Sequence, residues 1–239
     1  MINSEVEIPG YIKDHIPDIE NIPVYDYHDS ENIVRTIKQF LNNNRPVLKG
    51  LVLAGGKSVR MDQDKGLINY HGIPQREYAA QLLSNYCDEV FISCRPDQVD
   101  TIDSNYPALP DTFDGLGPFG GITSAFRKDP NAAWLVVACD LPYLDGATLD
   151  YLVSNRNQSK VATSFWDTDH KFPEPLITIW EPKAYPEMLY FLSFGYSCPL
   201  KVFIKSNTEV LEAPDNHALT NVNNPEEMKT VLQVIKNDQ

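Results

Sequence analysis

Positive charge is scarce in this sequence: 20 Lys and Arg stand against 33 Asp and Glu, a net charge of −13 over 239 residues. That balance excludes a nucleic-acid polymer or an anionic membrane as the main partner, because both are held by clustered cations. No apolar run approaches the ~20 residues that a membrane helix needs. The opening MINSEVEIPGYIKD is acidic and has no apolar signal-peptide core. Cysteine is sparse as well, and Cys87, Cys94, Cys139 and Cys198 form neither a CxxC pair nor a zinc spacing. Three of them fall in or beside apolar runs and read as buried free thiols of a reducing, cytoplasmic setting. The five histidines share no metal spacing; His170 and His217 read as loop residues. Repeats, low-complexity tracts and a Ser/His/Asp arrangement are missing too. A hydrophobic fraction of 42% is ample for the core of one large domain with a short appendage.

What is present falls into two parts. Residues 1–46 contain a short extended piece, NIPVYDY, and a helix expected over 29–43 with Ile33, Val34, Ile37, Phe40 and Leu41 on one face. NNNRP closes it as a linker. From Val47 the pattern becomes strands alternating with helices. VLKGLVLA, EVFISC, AAWLVVAC, KVATSF, PLITIW and TEVLEA read as strands, and Pro173 and Pro175 read as a loop between two of them. Helices are expected from Pro74, through Ile122 and Ala125, over 182–194 and 199–205, and after the cap Asn224-Pro225-Glu226-Glu227. The expected fold is a Rossmann-like three-layer α/β/α sandwich over residues 47–239, mostly parallel with an antiparallel strand. Ligands of such folds bind at the carboxyl ends of the strands.

LVLAGGKSVRMDQDKG, residues 51–66, lies at such an end. It is neither a Walker loop nor GxGxxG. In Ala54-Gly55-Gly56, glycines let the backbone approach a ligand and turn N–H groups toward an anion. Lys57, Arg60 and Lys65 add positive charge around that nest, although a tight turn with solvated lysines accounts for the glycines equally well. Asp140 follows the apolar run 134–139 directly, and a carboxylate there is costly to bury unless paired. Mg²⁺ held by a carboxylate and substrate phosphates is one solution; the other is a helix cap, for which Asp145 is better placed. Asp111 falls at a further strand end, as a second polar contact or a turn residue.

In this order and spacing the residues resemble the molybdenum cofactor guanylyltransferase family, within the nucleotidyltransferase superfamily. The signature LAGGxSxRMGxDK is matched at Leu53, Ala54, Gly55, Gly56, Ser58, Arg60, Met61, Asp64 and Lys65. GPFGGI, VACDLPYL and NVNNPEE resemble later family motifs, with Asn221 and Asn223 in register, so the likeness runs from about Val47 to the end. It implies that the phosphate of molybdopterin cofactor attacks the α-phosphorus of GTP and pyrophosphate leaves. It also implies that Leu53 to Gly56, Arg60 and Lys65 contact the nucleotide, as does Asp111. Asp140 then holds Mg²⁺, and Asn221 and Asn223 meet the second substrate. A nucleotide-contacting Asn of the family has no match in FISCRPD, where Ser93 substitutes. Asp62 stands where the family has Gly, a position of φ > 0 that Asp tolerates. Residues 21–41 are similar to the tail of the accessory GTP-binding protein of the pathway, which implies pathway proteins as partners. The same features leave two other readings open: a relative using CTP or a sugar phosphate, and a nucleotide-binding module without turnover.

Overall fold

A computed structural model describes residues 2–3, 24–25, 30–43, 45–56, 61, 63–102, 105–113 and 115–237. Side chains of residues 2–3, 24–25, 37–43 and 237 are not among those described. The expectations for Lys57, Ser58, Arg60 and Asp62 therefore lie outside the described residues.

The chain forms two compact units, residues 1–45 and 46–239. In the first, β1 (Ile2–Asn3) pairs in parallel with β2 (Val24–Tyr25), and α1 (Ser30–Asn43) follows. Ile33 is half-buried, and Val34, about 100° round the helix from it at the edge of the expected face, is 49% exposed.

The second unit is built on seven strands. They are β3 (Leu48–Leu53), β4 (Glu89–Cys94), β5 (Ala108–Pro110), β6 (Ala133–Ala138), β7 (Ala162–Trp166), β8 (Pro173–Trp180) and β9 (Glu209–Leu211). Their order is β5-β4-β3-β6-β8-β7-β9, and only β8 runs antiparallel to its neighbours. Between them lie α2 (Gln75–Leu83), α3 (Pro118–Lys128), α4 (Gly146–Ser154), α5 (Ala184–Ser193), α6 (Pro199–Lys205) and, last, α7 (Pro225–Asn237).

Successive strand residues feed opposite faces of the sheet, as a period of two requires. Val52, Ile92, Leu135 and Val137 pack with Ala79, Ala80 and Leu83 of α2 and with Leu149 and Leu152 of α4. Leu51, Phe91, Trp134 and Val136 pack with Phe119, Ile122 and Phe126 of α3, Met188 of α5 and Phe203 of α6. With both faces covered, the central strand β6 is apolar and buried throughout. This is the three-layer sandwich expected. A smaller cluster joins Met61, Ile68, Tyr70 and Val222 to Val231 and Ile235 of α7.

Two local readings are corrected. Pro173 and Pro175 belong to β8 rather than to a loop. The register shifts between Ser164 and Trp166, so that Trp166 meets Pro173 while Ser164 meets Thr178. One proline therefore starts the strand and the other sits in the irregular stretch, the places a sheet tolerates it. His217 lies in a 3₁₀ turn, Asn216–Leu219, with its ring 3.9 Å from that of Tyr143 and tilted by 36°, whereas His170 is in a loop as expected. Of the free cysteines, Cys94 and Cys139 are buried, Cys87 is half-buried and Cys198 is exposed.

Candidate active site

Strands β3, β4, β5 and β6 are parallel, so their carboxyl ends open on one edge of the sheet. The chain leaves β3 toward β4 on one side and returns to β6 on the other, which makes the β3/β6 crevice the topological switch point. The ladder continues one step beyond the strands. Ala54 N–H donates to Ser93 O (2.9 Å), Asp111 N–H to Cys94 O (2.8 Å) and Cys139 N–H to Leu53 O (3.2 Å). Each residue that leaves the sheet is thus held at its first step.

A cleft of about 340 Å³ occupies this edge, lined by Leu53, Ala54, Gly55, Gly56, Asp64, Lys65, Ser93, Asp111, Gly117, Pro118, Ala138, Cys139, Asp140, Leu176 and Asn223. Lys65 stands in it with 17% of its side chain exposed. Its Nζ donates to Asp140 Oδ2 at 3.0 Å and to Asn223 Oδ1 at 2.9 Å. The lysine starts a 3₁₀ turn, Lys65–Leu67, whose cap is Asp64. Asp64 Oδ1 accepts from Gly66 N–H at 2.9 Å, and Oδ2 accepts from Gln98 Nε2 at 3.1 Å. Asn223 arrives from the far end of the chain. Val222 N–H donates to Asp140 O at 2.9 Å, and the α7 cap, Asn224 Oδ1 accepting from Glu227 N–H at 2.9 Å, closes the segment.

Asp140 is not a helix cap. That task falls to Asp145, whose side chain accepts from Thr148 N–H at the start of α4. Asp140 Oδ1 is buried and accepts no hydrogen bond among the described residues. An orphaned carboxylate oxygen beside a cleft suits a cation ligand. No three His, Cys, Asp or Glu converge among the described residues. Cys139, next in the wall, has its thiol raised far above the ordinary range by burial, with the Asp140 charge adding to it. At 8% exposure it forms part of the cleft wall.

Ser93 is 1% exposed, and its hydroxyl donates to Asp111 Oδ1 at 2.8 Å. A Cβ on Gly55 would sit 3.3 Å from Asp111 Oδ2 and 3.4 Å from Arg95 N, so glycine serves close packing there. Neither Gly55 nor Gly56 adopts a positive φ. Gly117 does (φ 56°), and it opens α3 toward the cleft with no side-chain cap.

Of the expected site residues, Leu53, Ala54, Gly55, Gly56, Lys65, Ser93, Asp111, Asp140 and Asn223 come together in this cleft. Asn221 is exposed and does not line it. Sequence reading missed Asp64 as a structural cap, Gln98 behind it, and Arg95, whose Nη1 donates to Gly55 O (2.9 Å) and Gly56 O (3.3 Å). No short-range pattern announces contacts across 34 to 40 residues.

The chain has relatives. Residues 50–200 match the family model described as MobA-like NTP transferase domain. A molybdenum cofactor biosynthesis bifunctional protein from Synechocystis is 38% identical over 75% of this chain; the chain spans about half of that relative (52%). A molybdenum cofactor guanylyltransferase from Pseudomonas fluorescens is 30% identical, covering 77% of this chain and 94% of its own. In fold, the chain is similar to molybdopterin-guanine dinucleotide biosynthesis protein A from Archaeoglobus fulgidus. Its TM-score is 0.65 at 20% identity, over 79% of this chain and 99% of that one.

Proposed function

Because the chain belongs to the MobA-like NTP transferase family, we propose that it transfers GMP from GTP to the phosphate of molybdopterin cofactor and releases pyrophosphate. The observation that carries the reading is the Lys65 ammonium, bridged to Asp140 and Asn223 where the chain crosses from β3 to β6. Relatives named for guanylyl transfer support the choice of substrates.

Phosphoryl-type transfer asks the protein mainly for positioning and for charge placed where charge develops. The backbone of Gly55 and Gly56, with the uncapped start of α3, presents N–H groups to the nucleotide phosphates. Lys65 adds a point charge that exchanges its carboxylate partner for a phosphate oxygen. Asp111, oriented by Ser93, borders the nucleotide. Arg60 belongs to the proposed nucleotide contacts from its place in the signature. Asp140 Oδ1 would hold Mg²⁺, which when bound supplies charge neutralisation at the phosphates. Asn223 and Asn221 border the acceptor, with Asn223 fixed beside Lys65. The reading includes pathway proteins as partners and a cytoplasmic setting, supported by the pathway of its relatives. No described helix is long and apolar enough to cross a membrane.

The test is pyrophosphate release from GTP, CTP, ATP and UTP, with and without molybdopterin cofactor. Release from GTP that requires the cofactor is expected. Preference for CTP would move the chain to a sister activity, and nucleotide binding without release would leave a binding module.

A further inference from the structure

The segment that follows β4 holds both ends of the phosphate loop. Arg95 Nη1 reaches the Gly55 and Gly56 carbonyls, while Nε and Nη2 grip Asp97 at 3.0 and 3.3 Å. The planar fork is therefore held from both sides, as a single ammonium cannot be. Gln98, 7% exposed, joins this grip to the lysine end. Its Oε1 accepts from Arg95 N–H at 3.1 Å, and its Nε2 donates to Asp64 Oδ2 at 3.1 Å. Asp64 in turn holds Gly66 N–H beside Lys65.

We infer that Arg95, backed by Gln98, is a positioning residue that aims the glycine-loop amides at the nucleotide phosphates. The inference rests on the phosphate-transfer reading above and adds a residue to it. A peptide C=O and the next N–H point opposite ways in a planar trans unit, and the described chain has no cis peptide. Fixing Gly55 O on Arg95 therefore turns Gly56 N–H away from Arg95. Gly56 borders the cleft and Arg95 does not, so the amide faces the side where phosphate binds. Without the clamp, a rotated peptide would present carbonyl oxygen to an anion. Arg95 acts through the loop, and it touches no substrate.

The experiment is calorimetric binding of pyrophosphate and of GTP, with a melting curve for each protein. Arg95→Met should weaken both ligands about tenfold or more, the loss of charge-assisted bonds that orient the loop, with little change in melting. Arg95→Lys keeps the charge and should still lose about threefold or more, because it cannot span both carbonyls and Asp97. Arg127→Met removes the same charge from the exposed end of α3 and should bind as wild type. Wild-type affinity in both Arg95 variants overturns the clamp, and so does equal weakening in Arg127→Met, which would mean a general charge effect. A large fall in melting temperature for Arg95→Met, with Arg95→Lys binding as wild type, also overturns it by making the role structural. Failure of the wild-type protein to bind either ligand would instead overturn the phosphate-site reading itself.

Discussion

Asp140 divides its two oxygens: Oδ2 pairs with Lys65, and Oδ1 is buried with no hydrogen bond from the described residues. Asn at this position keeps the shape and loses the charge. Asp140→Asn should therefore retain the fold and lose roughly 3 kcal/mol at the barrier, about a hundredfold in kcat. Turnover near wild type would place the cation elsewhere. Lys65→Ala should raise the GTP KM and lower kcat together, each by about tenfold, since its charge meets ground-state and developing phosphate charge alike. Lys57→Ala, at a position the family leaves variable, should do less. Equal effects in the two would show that no specific lysine contact operates. Both Asp140 and Lys65 were legible in the sequence: Asp140 because a charged residue at the end of an apolar run stands out, and Lys65 from its place in the signature that follows the glycine loop. Arg95 and Gln98 were not, because their meaning depends on carbonyls and a carboxylate that only the fold brings near.

Elements explain why the cleft tolerates so little volume. α3 lies against β3 and β4 so closely that a Cβ on Gly121 would sit 2.6 Å from Ser93 Oγ and 2.8 Å from Leu53 Cδ2. Gly121→Ala should cost about 1–3 kcal/mol, an overpacking penalty, and displace Asp111 through Ser93. Gly146→Ala, whose nearest neighbour is 3.5 Å away, should stay within about 0.5 kcal/mol. Urea midpoints compare the two directly. The irregular stretch of β8 carries a titration of its own. Burial raises the Glu174 carboxyl above its ordinary range; the Leu176 N–H opposes this, and the Asp140 charge adds to it. The folded state holds that proton more tightly than the unfolded chain. This contribution favours folding below the unfolded pKa and is lost as pH rises through the raised value. Glu174→Gln retains an acceptor for Leu176 N–H, so it should melt above wild type at neutral pH and converge with it near about pH 4. A constant difference across that range would remove the titration from the account. Both prolines of this strand were read as loop residues, because a proline's local preference says nothing of an irregular register set by the strand opposite.

At the scale of the molecule, the buried clusters of the described residues run from Leu48 to Ile235, within the second unit. Removal of residues 1–45 should leave a protein that melts in one cooperative transition and keeps its pyrophosphate affinity. Aggregation of the truncated chain would show that the first unit completes the fold. The strand-helix alternation, the three-layer class and the parallel sheet with one antiparallel strand followed from the sequence alone, because apolar runs of strand length between amphipathic helices can be buried in few ways. The glycine loop and Asp140 were readable for the same reason: both sit at ends of such runs. Tertiary structure alone decided which of them meet. It set the order β5-β4-β3-β6, brought Asn223 across 158 residues to Lys65, and left Asn221 outside the cleft. Local pattern records what each segment buries, whereas a site is made by hydrogen bonds between segments, and their partners exist only once the sheet has been assembled.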